Sequence, residues 1–274
     1  MKKIFSNFYM VLVYLFLYCP IFVLIAFSFN ASKSRAVWTG FTVDWYKKLF
    51  HNEVIMSSLL NTLIVALIAS VAATIIGTVA AIGIYRMKKL PRAVILNISY
   101  LPIINPEIIM GVSLMLLFVS LNMTLGYVTL ILAHITFCVP YVILNVLPKL
   151  RQMDRNIYDA ASDLGCTDIQ VFFKVVLPEI MPGVLSGFLI SITYSIDDFV
   201  ISYFTSGATS QTLPITIFSM TRRKVSPEIN ALSALIFVVV LLVLLISNFA
   251  DMRKHKREEM ALRRSAEERR EAEQ

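Results

Sequence analysis

Long apolar runs separated by short polar segments rich in Lys and Arg set the pattern of this chain. A bilayer core about 30 Å thick takes about 20 residues of helix. Six runs reach that length: 8–29, 59–84, 93–121, 127–148, 180–204 and 230–250. None contains Lys or Arg. Each predicts a membrane-spanning helix, because in lipid every backbone polar group must be bonded within the protein. The first run follows Lys2 and Lys3 as a signal peptide would. Its apolar stretch is longer than a typical cleaved segment, so it predicts an uncleaved span. The turn near 122–126 is short enough to make spans 3 and 4 a tight hairpin. The expected architecture is an all-α integral membrane protein with six transmembrane helices over 1–250 and a charged tail over 251–274.

Composition strengthens this picture. The 274 residues are 57% apolar and 16% charged, with mean hydropathy +0.73. An ordinary soluble domain is about 45–50% apolar and about 25% charged. A soluble enzyme and a disordered chain are both excluded by these values. The net charge of +7 would suggest nucleic acid in a soluble protein. Here the positions of the charges give another meaning. One side of the predicted spans holds 18 of the 25 Lys and Arg, including Arg86–Arg92, Lys149–Lys174 and the tail; the other side holds 7, among them Lys33, Lys47 and Arg222. Basic loops stay inside, so both termini are expected in the cytoplasm, and no nucleic-acid partner is required. Cys19, Cys138 and Cys166 are far apart and form no metal-ligand spacing. The outer segments are 30–58 and 205–229. Trp38, Phe41, Trp45 and Tyr46 in the first suit a membrane interface.

The longest inner loop, 149–179, exceeds what a connector needs. Ala160 and Ala161 favour a short helix, and Gly165 is a good stop. Thr167 or Asp168 can cap a second helix, which would place Ile169, Phe172, Phe173 and Val176 on one apolar face and end at Pro178. Asp159-Ala160-Ala161, Gly165, Val175, Leu177 and Pro178 stand at the spacing of the EAA loop, with Asp for Glu and Val for Ile. The chain therefore resembles the permease subunits of bacterial ABC importers. That resemblance implies a type I importer fold in which the 158–178 loop docks on a separate ATPase dimer. Asp159, Ala160, Ala161, Gly165, Leu177 and Pro178 would be the coupling residues. Leu164 and the 169–176 face would anchor the loop to its own membrane domain. No phosphate-binding G-x-x-x-x-G-K-[ST] pattern occurs. The resemblance thus implies a non-catalytic subunit, with no catalytic or metal residues and no cofactor of its own. ATP and Mg would be bound by the partner.

Ionisable groups inside spans are costly and mark functional paths. Those left inside are Glu107, Asp197 and Asp198, with His134, and no base pairs with the acids. Counting helical rise puts Glu107 and Asp197 at comparable depths, subject to breaks at Pro102 and Pro106. Tyr194 and Phe199 lie beside the two aspartates. Carboxylates with aromatic faces suit an alkyl-ammonium ion. At least one aspartate is expected to line the path while the other bonds a neighbour; His134 is expected to be an interhelical group. The motifs Trp38-x-Gly40-Phe41, Trp45-Tyr46, Pro106-Glu107-Ile108 and Ser195-Ile196-Asp197-Asp198-Phe199 are similar to the spermidine/putrescine branch of these permeases. That similarity implies a second homologous permease subunit, a periplasmic binding protein and an inner-membrane location. A permease for another cationic or aminated solute stays open, as does a secondary transporter or channel.

Overall fold

The computed structural model describes residues 2–32, 37–223 and 227–242. Its regular structure is helical, and among the described residues a lone β-bridge joins Asn30 to Phe41. The chain forms two units, Met1–His51 with Met220–Gln274, and Asn52–Ser219.

The first unit begins with α1 (Lys2–Ser28). Its apolar part, Ser6–Ser28, is long enough to cross a membrane and stays exposed within the chain. Beyond it the chain folds around Asn30. The Asn30 amide donates to the Val37 carbonyl at 2.8 Å and accepts from the Thr39 N–H at 3.0 Å. Trp45, on α2 (Asp44–His51), donates its indole N–H to the Asn30 carbonyl at 2.7 Å. Trp45 is therefore a buried peg of this knot, whereas Trp38 and Phe41 keep the exposed faces expected of interfacial residues.

The second unit contains α3 (Glu53–Arg86), α4 (Lys89–Ile104), α5 (Glu107–Ser120), α6 (Tyr127–Gln152), α7 (Arg155–Asp163), α8 (Asp168–Val171), α9 (Leu177–Asp197), α10 (Val200–Thr205) and the start of α11 (Leu213–Arg223). Its core is the mutual packing of α3, α6 and α9. Lipid supplies no hydrophobic drive between helices, so close approach of small residues has to. On α9, Gly183, Gly187, Ser191 and Ser195 repeat every four residues and are buried. A Cβ on Gly183 would stand 2.7 Å from the Asn145 carbonyl oxygen, and one on Gly187 3.1 Å from Val142 Cα. On α3 the buried stripe is equally small: Ala66, Ala69, Ala73, Gly77 and Ala81. Near the N-terminal end of α3, Asn61 donates to the Gln211 carbonyl at 3.0 Å, and Thr62 Oγ1 accepts the Leu213 N–H at 2.8 Å. These bonds pin the 206–213 segment onto α3.

Four helices are apolar and long enough to span, Ser6–Ser28, Glu53–Arg86, Tyr127–Gln152 and Asp168–Asp197, and the α4–α5 pair makes a fifth, broken candidate. Two of the predicted runs are interrupted, the first of them at the Pro106 break already expected. Run 93–121 is not a straight helix. It bends by 104° between α4 and α5, because Pro106 offers no N–H to continue the ladder and drives Asn105 into the extended region (φ −70°, ψ 142°). A depth counted along a straight helix therefore does not hold for Glu107. Run 180–204 also divides, into α9 and α10, at Asp198 and Phe199. The last predicted span is described only as α12 (Pro227–Leu242); its remainder to 250 and the 251–274 tail lie outside the described residues.

Candidate functional site

The two breaks meet. α10 packs on α5, close enough that a Cβ on Gly111 would lie 2.9 Å from the Phe204 ring. All three acids stand at these interruptions. Glu107 is the first residue of α5, Asp197 the last of α9, and Asp198 follows it. A cleft of about 200 Å³ lies between them. Its wall includes Glu107, Asp197, Asp198, Tyr141, Tyr194 and Phe199, and no Lys or Arg. Tyr141 and Tyr194 stack at 4.6 Å between ring centroids.

The acids differ in what they already hold. Asp198 is engaged: Oδ1 accepts the Ile201 N–H at 3.3 Å and Oδ2 the Ser202 N–H at 2.7 Å. It caps the first turn of α10, and its side chain is 6% exposed. Its charge offsets the positive end of that short helix. The continuous span expected over 180–204 is thus replaced by a break that separates the duties of the two aspartates. Glu107 sits at the positive end of α5, which also favours a carboxylate. Asp197 is exposed at the C-terminal end of α9, where the helix dipole adds further negative potential. Asp197 is consequently the group that a cation would find least compensated. His134 is fully buried, with Nδ1 2.6 Å from Ser195 Oγ and Nε2 3.0 Å from Ser202 Oγ. It is a satisfied interhelical group, as expected. Tyr141 escaped the sequence reading. It lies seven residues after His134, two turns along the same stripe of α6, and that spacing was the available signal.

Loop 149–179 has the expected helix–turn–helix outline with different facing. α7 closes with Gly165 at φ +82° and a Cys166 N–H to Ala161 carbonyl bond of 3.2 Å, the bonding of a Schellman stop. Thr167 caps α8, accepting the Gln170 N–H at 3.4 Å. Phe172–Val176 then forms one π-turn, in which the Leu177 N–H reaches the Phe172 carbonyl five residues back. This wider turn accommodates Pro178, so the helix runs on into α9 and does not end there. It also changes which side chains face inward. Of the predicted 169–176 face, Val176 is buried and Phe172 packs against the core, joined by Val171, while Ile169 and Phe173 are exposed, so only half of that face anchors the loop. Leu164 is 86% exposed and anchors nothing within the chain. Ala161 packs in the core with Val171, Val176 and Ile180, so the chain itself occupies a residue expected to touch a partner. Ala160, Gly165 and Pro178 are exposed and Leu177 is half-buried; the Asp159 side chain lies outside what the structure describes. Among the described residues no cluster of metal-ligating side chains occurs.

Apolar helices broken at carboxylates, with a separate helical loop bearing Lys and Arg, are the features of a membrane transport component. Residues 73–253 match the family of binding-protein-dependent transport system inner membrane components, and the chain belongs to that family. It is 37% identical over 241 residues to the spermidine/putrescine transport system permease protein PotC of Haemophilus influenzae, covering 88% of this chain and 94% of that one. It is 40% identical over 250 residues to the putrescine transport system permease protein PotI of Escherichia coli strain K12, covering 88% of each. The fold is similar to that of a bacterial ABC transporter involved in import of the acidic polysaccharide alginate (TM-score 0.69, 15% identity, 90% of this chain and 96% of that one). It is also similar to the MetNI methionine ABC transporter (TM-score 0.55, 18% identity, 72% and 95%).

Proposed function

We propose that this chain is a permease subunit of an ATP-driven inner-membrane importer and that its substrates are polyamines of the spermidine and putrescine class. It would cross the membrane six times with both termini inside. A homologous permease would face its cleft, a periplasmic binding protein would deliver the amine, and an ATPase dimer would dock on the 158–178 loop. The observation that carries the substrate reading is the pairing of Asp197 and Glu107 with the Tyr141–Tyr194 stack in a cleft without a base. An alkyl-ammonium ion gains from carboxylates and ring faces together, and broken helix ends at membrane depth are where transporters hold ions. The similarity to spermidine/putrescine and putrescine permeases supports the same class. Binding has to stay weak enough for release.

The test is uptake of radiolabelled spermidine and putrescine by cells carrying the whole transporter. Asp197→Asn is expected to lose most uptake, Glu107→Gln to lose less, and Asp198→Asn least, because Asn still caps a helix. Wild-type uptake by both Asp197→Asn and Glu107→Gln would overturn the cleft as the path.

A further inference from the structure

The break between α9 and α10 needs something to hold it, and α6 runs along both halves. Its bonds follow an antiparallel register. Cys138 Sγ meets the Ser191 carbonyl at 3.5 Å on the α9 side. Thr129 Oγ1 donates to the Thr205 carbonyl at 2.8 Å on the α10 side. Between them, the two ring nitrogens of His134 reach Ser195 before the break and Ser202 after it. Asp198 Oδ2 lies 3.6 Å from His134 Nε2, which favours the tautomer with its proton on Nε2. That nitrogen then donates to Ser202 Oγ with the Asp198 carboxylate beside it, while Nδ1 accepts from the Ser195 hydroxyl.

We infer that His134 is a positioning residue: it clamps the two halves of the broken helix and so holds the Asp197 carboxylate at the cleft. The inference rests on the cleft reading above. His134 does not line the cleft and acts through the seryl residues and Asp198; its ring also packs on Phe137, which does line the cleft, at 5.1 Å between centroids. A rigid imidazole suits this work because its two nitrogens point in different directions. An aliphatic side chain in its place would leave Ser195 and Ser202 buried without partners, a state that one of the two helix halves relieves by moving.

The experiment measures spermidine uptake against concentration in proteoliposomes containing the complete transporter. His134→Ala, Ser195→Ala, Ser202→Ala and the pair His134→Ala/Ser202→Ala are compared at equal membrane level. His134→Ala is expected to raise KM roughly tenfold with little change in the maximal rate. Each seryl variant is expected to raise KM less, and the pair to be no worse than His134→Ala, since both remove one arrangement. If His134→Ala does not accumulate, the two seryl variants decide. An unchanged KM in both, or a fall in maximal rate with KM unchanged, overturns the clamp. Asp197→Asn in the same assay separates the two readings. A raised KM there with wild-type KM in the clamp variants rejects the clamp alone; a wild-type KM in Asp197→Asn rejects the clamp, and a wild-type KM in Glu107→Gln as well rejects the cleft with it.

Discussion

Ala161 and Leu164 sit three residues apart and meet opposite surroundings. Ala161 is 8% exposed among the side chains of its own unit, while Leu164 projects from the end of α7. A carboxylate forced into the Ala161 site would be buried without a partner, at a cost of roughly 3–5 kcal/mol. We expect Ala161→Glu to reduce the amount of chain in the membrane. Leu164→Glu is expected to leave that amount unchanged and to weaken co-purification of the ATPase. Quantitative blotting of membranes and of affinity-purified complexes reads both effects. Equal behaviour of the two variants would show that exposure in the single chain does not sort this loop. The small residues of the loop were legible in the sequence, but which of them turns inward was not. The π-turn at Phe172–Val176 sets that facing, and no residue type announces a π-turn.

At the scale of helices, the four-residue repeat on α9 does what lipid cannot, bringing α6 within backbone distance. Gly183→Val would place a branched side chain against the Asn145 carbonyl. Overpacking of this kind costs about 1–3 kcal/mol. A lowered melting temperature of the purified protein in detergent is the expected outcome, with Gly83→Ala as the control because a Cβ there meets nothing within 4 Å. A melting temperature unchanged by Gly183→Val would mean that the α6–α9 contact is looser than described. The apolar runs had marked the long apolar helices, and Pro106 had warned of an interruption in the third run. The break in the fifth carried no such warning. Asp198-Phe199 contains neither Gly nor Pro, and its interruption depends on Asp198 bonding forward to α10 while α6 holds both sides.

For the whole molecule, the distribution of 25 Lys and Arg makes a directional claim. With Cys19, Cys138 and Cys166 replaced, a cysteine at exposed Thr209 should react with a membrane-impermeant maleimide in intact cells. One at exposed Asp163 should react only after the membrane is opened. The reverse pattern would invert the proposed topology.

Periodicity and charge alone determined that this chain lives in a membrane, which of its runs are apolar enough to cross, and that three acids stand in those runs without bases. Those properties follow from local residue type and from the thickness of the bilayer. The tertiary structure decided that two interrupted helices cross, and that Asp198 serves a helix end while Asp197 and Glu107 remain open. It also brought Tyr141 into the cleft and His134 behind it. Apart from the local bonds of Asp198 to Ile201 and Ser202, these depend on residues tens of positions apart, and a linear pattern holds no record of which of them meet.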